Sequence, residues 1–219
     1  YGNISKSGKR NISIVYSGGD DVFVVGAWDD VISFAVDLTD KFREFTEGTL
    51  TISAGIGIYD FSFPISICAQ EVDKLESMSK SYSKHNNDNP EKNAVTLFDT
   101  KDVFKSELLS GIELKQTYNW IDFKNKVIAE KLDTLKEFFG FKVEKDDSDN
   151  DYGASFLYKL MFLLRNSDAD KINYARYVYL LSRMEPSKNS TAEAVSKYRK
   201  FSEKMYEWIK NPEDKKQLL

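Results

Sequence analysis

The sequence predicts an α+β fold: a mixed domain of order β-β-α-β-α-β over residues 1–105, then an all-α helical bundle over residues 106–219. Three observations carry this. Two short apolar strands flank a tip at Gly18-Gly19-Asp20-Asp21, strand-type patterns recur until about residue 101, and beyond that point the apolar residues keep helical spacing.

In chain order, Ile12, Ile14 and Tyr16 alternate on one face of a first strand ending at Ser17. Val22-Phe23-Val24-Val25 is apolar on both faces, as expected of a strand inside a covered sheet. Between them, Gly18 and Gly19 tolerate the positive φ that a tight hairpin needs. Asp29 or Asp30 is placed to cap a helix with apolar positions Val31, Phe34, Ala35, Leu38, Phe42 and Phe45, and Gly48 lies just past its end. Residues 50–59 read as a second strand region. The helix after Pro64 carries Cys68, Val72, Leu75, Ser79 and Tyr82 on one face. Residues 84–90 read as a loop and 94–98 as a short strand.

In the second half, Trp120, Val127, Ile128, Leu132, Leu135 and Phe139 keep helical spacing up to Gly140. Residues 145–151 form a polar, acidic insert. The stretch 156–164 is apolar all round and is expected to be a buried helix. Two further helices follow, over 172–184 and 191–210, the last with Val195, Tyr198, Phe201, Met205 and Trp208 in register.

An apolar share of 41%, with 14% aromatic, suits a packed core and excludes a disordered chain. The net charge of −4 argues against gripping nucleic acid by bulk electrostatics. The charge is uneven: −5 over residues 1–105 (11 Lys/Arg, 16 Asp/Glu) and +1 over residues 106–219 (20 and 19). An acidic first half repels a nucleotide triphosphate unless cations intervene. The single cysteine, Cys68, excludes an intrachain disulfide and a thiolate metal cluster, and fits a reducing, cytoplasmic setting. No apolar run reaches the length of a membrane span, so no membrane partner is expected. The start at Tyr1, without Met, leads us to expect a piece of a longer protein.

The tip is the chemically informative segment. Hard cations such as Mg²⁺ take carboxylate oxygens in rigid positions, and a hairpin tip fixes two adjacent carboxylates better than a loop does. Two like charges about 6 Å apart repel by roughly 1 kcal/mol in water, a penalty that bound cations reverse. Glycines before them let a phosphate approach the backbone. The competing reading is a solvated turn, in which Gly and Asp are common. Elsewhere, Ser17 is placed to touch a nucleotide or simply to be polar, and Gly55 and Gly57 admit close packing or a ligand. His85 reads as solvated, Cys68 as core, and Trp120 and Trp208 as core or interface anchors.

The string Tyr16-Ser17-Gly18-Gly19-Asp20-Asp21-Val22-Phe23 resembles the GGDD motif in the second palm domain of the type III CRISPR effector large subunit. Ser53-Ala54-Gly55-Ile56-Gly57-Ile58 looks like that family's strand after the crossover helix. Pro64, followed by a helix ending in Ser79-Lys80, looks like its next element, and the helical tail looks like its C-terminal domain. The resemblance spans essentially the whole chain and implies a ferredoxin-like palm whose first strand is missing, followed by a helical domain. It implies synthesis of cyclic oligoadenylates from ATP with Mg²⁺ or Mn²⁺. Asp20 and Asp21 would be the catalytic and metal-binding pair, and Ser17, Gly18, Gly19 and Lys80 the nucleotide-binding residues. A further carboxylate would come from the missing strand. The implied partners are the rest of the large subunit, the other effector subunits, and crRNA and target RNA through the complex. Two other readings remain beside it. A GGDEF-type dinucleotide cyclase prefers Glu-Phe where this chain has Asp21-Val22 and ends soon after its palm. A non-catalytic scaffold module has no need of two unpaired carboxylates.

Overall fold

The computed structural model describes residues 10–82, 92–98, 116–139, 154–168, 170–186 and 190–218. The chain divides into two compact units, and residues 116–124 group with the N-terminal one.

In the N-terminal unit, β1 (Ile12–Gly18) and β2 (Asp21–Gly26) form an antiparallel hairpin. Its register shifts between Ile14 and Tyr16, leaving Val15 as the extra residue of a bulge. The hairpin leads into α1 (Trp28–Phe45), whose N-cap is Ala27, without a side-chain cap. Neither Asp29 nor Asp30 caps the helix as expected. Both lie in its first turn, where the helix dipole favours them, and the buried Asp30 carboxylate accepts the Asn11 N–H at 2.8 Å. Arg10 adds bonds to Ser33 Oγ (3.1 Å) and to Asp37, so the start of β1 is fastened along α1.

A second sheet holds β3 (Ala54–Ile56), β4 (Ala94–Leu97) and β5 (Thr117–Asn119) in the order β3-β4-β5. The β3–β4 pair is parallel and the β4–β5 pair antiparallel, with Thr96 and Thr117 sharing a hydroxyl hydrogen bond of 3.0 Å. Helix α2 (Ile65–Lys80) packs on this sheet through the buried Leu75 and Ser79. Of the strand region expected over 50–59, only Ala54–Ile56 pairs. The expectation that strands end near residue 101 is corrected by β5. Val22 and Val25 are also not covered among the described residues: β2 has a partner on one edge only, and both side chains stay exposed. Cys68, expected in the core, is only partly buried.

A short helix α3 (Trp120–Asp122) opens on Asn119, whose side chain accepts from Asp122 N at 2.7 Å. Trp120 is buried and donates its indole N–H to Ile52 O at 2.9 Å, with Phe123 edge-on beside it and Tyr118 packed against Phe123 in turn. The helix continues as a π-helical stretch (Phe123–Leu132) and then α4 (Asp133–Phe139). The apolar spacing is thus helical as expected, with a wider turn than an α-helix through its middle.

The C-terminal unit adds α5 (Ala154–Arg165), α6 (Lys171–Arg183), α7 (Ala192–Lys210) and α8 (Pro212–Leu218). Asp170 and Thr191 cap α6 and α7 through side-chain oxygens. Phe138, Phe156, Leu160, Leu164, Tyr177, Leu181, Tyr198, Phe201, Met205 and Trp208 form its core. Phe138 stacks on Phe201 with ring centroids 3.8 Å apart. The aromatic positions read in register on the last helix are the ones that fill this core. The expected loop at 84–90 and insert at 145–151 lie outside the described residues.

Candidate functional site

Asp20 and Asp21 sit at the hairpin tip because the β1–β2 register pairs Gly18 with Asp21 and leaves only Gly19 and Asp20 in the loop. Gly19 has φ +63°, the left-handed region that a side chain resists. Nothing lies within 4 Å of where its Cβ would stand, so backbone conformation, not crowding, asks for glycine here. Both aspartates are exposed, as is Ser17, opposite Val22 on the adjoining strand.

Lys80 arrives at the last residue of α2, where a cation is favoured by the helix dipole. One turn earlier, Glu76 pairs with its Nζ at 2.9 Å, with Glu N-terminal to Lys in the better i, i+4 order. The hydrogen bond that Lys80 donates to the Glu76 carboxylate is the main cause holding Lys80 above the ordinary lysine range. Partial burial opposes it, and the charges of Glu76, Asp21 and Asp20 add to it. The negative charges of Asp21 and Asp20 at the tip thus add to the preference of Lys80 for its charged form, across some sixty residues of sequence.

The position of α2 is set at Gly55. A Cβ there would stand 2.5 Å from Val72 O and 2.6 Å from Glu76 N, both backbone atoms, so any side chain would push the helix off β3. Gly55 serves helix packing. Burial pushes the Cys68 thiol up, away from nucleophilic chemistry. His85 lies outside the described residues. Trp120 and Trp208 fill cores, in the N-terminal and C-terminal units respectively. Glu76 is the residue that sequence reasoning missed; the i, i+4 Glu–Lys spacing was its only signal, and that spacing also marks ordinary solvated helix faces.

As a cation site, the tip offers two adjacent carboxylates from a fixed turn. Among the described residues no group of three His, Cys, Asp or Glu side chains is placed to hold a metal ion. The donors therefore fit a hard divalent cation in kind and fall short in number.

Two family models together match most of the chain. The family model described as Cas10/Cmr2, second palm domain, matches residues 2–95. That described as CRISPR RNA silencing complex Cmr2 subunit, second helical domain, matches residues 136–219. The chain belongs to the Cas10/Cmr2 family. It is 41% identical over 209 residues to a Mycobacterium tuberculosis protein described as CRISPR system single-strand-specific deoxyribonuclease Cas10/Csm1 (subtype III-A), covering 95% of this chain and 22% of the relative. Relatives of the same description are 36% identical over 217 residues in Enterococcus italicus (99% of this chain, 23% of the relative) and 33% over 205 residues in Streptococcus thermophilus (93% and 23%). The chain spans between a fifth and a quarter of the length of these curated relatives. The expected α+β class, a palm followed by a helical domain, holds. No helix among the described residues is long and apolar enough to cross a membrane.

Proposed function

We propose that this chain is the ATP-joining palm of a type III CRISPR large subunit, which makes cyclic oligoadenylates by 3'-5' phosphodiester formation when the complex binds target RNA. The observation that carries this reading is the exposed Asp20–Asp21 pair that the Gly19 turn fixes at the hairpin tip. Asp20 and Asp21 would hold Mg²⁺ or Mn²⁺. When bound, such a cation lowers the pKa of the attacking ribose hydroxyl and neutralises charge on the departing pyrophosphate. The chain's own residues do the rest. Gly19 leaves the backbone open to phosphate, Gly18 adds no side chain where the Tyr16 ring already lies against it, Ser17 offers a hydroxyl beside them, and Lys80 would supply a positive charge for the triphosphate.

The outer edges of β2 and β3 have no strand partner among the described residues. In this reading a strand from the remainder of the large subunit pairs there and brings the further metal-binding carboxylate. The deoxyribonuclease activity in the relatives' description belongs, on the same reading, to an HD nuclease domain elsewhere in the subunit, and the whole works in the cytoplasm.

Calorimetry with ATP and GTP tests the nucleotide site. ATP binds more tightly than GTP, and binding strengthens with Mg²⁺ or Mn²⁺, because an acidic tip cannot hold a triphosphate without cations. Equal ATP affinity in chelator removes the metal role; a preference for GTP turns the assignment toward a guanine dinucleotide cyclase.

The helical unit is a docking module for neighbouring protein subunits. Tyr158, Phe162, Ile172 and Tyr179 are exposed on α5 and α6, and aromatic residues of this kind anchor protein interfaces. The near-zero charge of residues 106–219 gives little electrostatic hold on phosphates. Residues 106–219 alone should bind single-stranded RNA weakly and with a shallow salt dependence. Tight binding that falls steeply with salt would overturn the docking role.

A further inference from the structure

Helices α5 and α6 carry five Lys or Arg residues and no Asp or Glu. Outside them, residues 106–219 hold 15 Lys/Arg against 19 Asp/Glu, so the cationic surplus is confined to this helix pair. The buried residues of both helices, Phe156, Leu160, Leu164, Tyr177 and Leu181, belong to one core. Each helix also presents a stripe turned away from that core. On α5, Tyr158, Lys159 and Phe162 are exposed. On α6, Ile172, Arg176, Tyr179 and Arg183 recur at intervals of three or four, the spacing of one helix face, and all four are exposed.

The fold does not neutralise these cations. Elsewhere on the helical unit exposed cations meet a carboxylate: Arg199 pairs with Glu185, Lys200 with Glu137 and Lys204 with Glu207. Among the described residues, Lys159, Lys171, Arg176 and Arg183 pair with no carboxylate. Arg176 reaches only the neutral side chain of Asn173, at 3.3 Å. The acids that join α5 to α6 are engaged elsewhere: Asp168 pairs with Lys215, and Asp170 accepts from Ile172 N as the cap of α6.

An exposed charge without a partner adds little to the stability of a helix, but it gives a surface its sign. Beside exposed aromatic rings, that sign selects among partners. Tyr and Arg are enriched where proteins associate, and complementary charge steers the right surface in while like charge rejects others. Nucleic acid suits this face less well. Its hold grows with the number of phosphates neutralised; four cations are few, and the unit around them is acidic. Ile172, at the start of the α6 stripe, offers no flat ring on which a base could stack.

We propose that the outer face of α5 and α6 docks an acidic protein surface, an apolar patch set among Asp and Glu, on a neighbouring subunit of the effector complex. The proposal rests on the reading of the helical unit as a docking module and names the chemistry of its partner.

The test uses the full-length subunit with the other effector subunits. A water-soluble carbodiimide joins an amine to a carboxylate only where the two are in contact. In the assembled complex it should link Lys159 or Lys171 to an Asp or Glu of another subunit, identified by mass spectrometry. Links from these lysines that stay within their own chain, or no links at all, overturn the proposal. Lys159→Gln/Arg176→Gln/Arg183→Gln should weaken association with the other subunits about tenfold at physiological salt, with the gap from wild type closing as salt rises. Tyr158→Ala/Phe162→Ala should weaken it as well. If only the aromatic variant loses affinity, docking stands and the acidic partner falls. If neither variant does, the docking reading itself falls. A charge variant that assembles normally but loses binding of a fluorescent single-stranded RNA makes this a nucleic-acid surface, and that too overturns the proposal.

Discussion

Replacing both Asp20 and Asp21 with alanine should abolish cyclic oligoadenylate synthesis by the assembled, RNA-activated complex while leaving the fold nearly untouched. Both side chains are exposed at a two-residue hairpin loop and fill no core volume, so the change in stability should stay within about 0.5 kcal/mol. The loss of rate should be about a thousandfold or more, since charge stabilisation at the reacting phosphate is the main thing such a site contributes. This split between activity and stability is the diagnostic. The assay incubates wild-type and double-variant complexes with ATP, Mg²⁺ and target RNA and separates the products. A variant that synthesises at the wild-type rate means that the hairpin is not the catalytic centre, and the scaffold reading takes the lead. The chain by itself should make little or no product. Joining two ATP molecules needs both held in line, and that proximity is a large share of the rate. One carboxylate pair on one palm face cannot complete both an acceptor and a donor site.

The parts of this picture that were legible in the sequence are the local ones. The hairpin could be read because its determinants are adjacent: two strand patterns, two glycines and two carboxylates within about ten residues. The helices could be read from apolar spacing, including the aromatic register of α7 that fills the C-terminal core. What failed depended on distant partners. Asp30 has the right chemistry for a cap, yet its carboxylate is taken by Asn11 N–H, nineteen positions away. Strand β5 is three residues, Thr117-Tyr118-Asn119, too short to show alternation, and it exists because β4 offers it an edge. Val22 and Val25 look like interior strand residues, but burial is decided by the neighbour on the far edge of β2, which a sequence pattern does not contain. The candidate site divides the same way. Asp20 and Asp21 are visible as a motif, whereas the seating of α2 on β3, with the Glu76–Lys80 pair at its end, follows from the close approach that Gly55 allows.

Trp208→Ala should be the most damaging single substitution in the helical unit, lowering its stability by about 4 kcal/mol. The side chain is fully buried, with Phe201, Met205, Tyr177 and Leu181 in the same core, so truncation opens a cavity that rigid helices close only in part. Two polar contacts fail with it. Trp208 Nε1–H donates to Glu130 at 2.8 Å, and Lys131 Nζ lies 5.4 Å from the centre of the indole ring. Lys131 is itself buried and held by Asp214 at 2.9 Å, so the indole also shields the ion pair that ties α8 to the π-helical stretch. Trp208→Phe separates volume from polarity. It keeps most of the buried ring, leaves Glu130 without its donor, and should cost about 1–2 kcal/mol. Urea unfolding followed by far-ultraviolet circular dichroism reads both variants. A loss below about 1 kcal/mol for the alanine variant would mean that the bundle is not organised around this residue, and that the Phe138–Phe201 stack carries the unit instead.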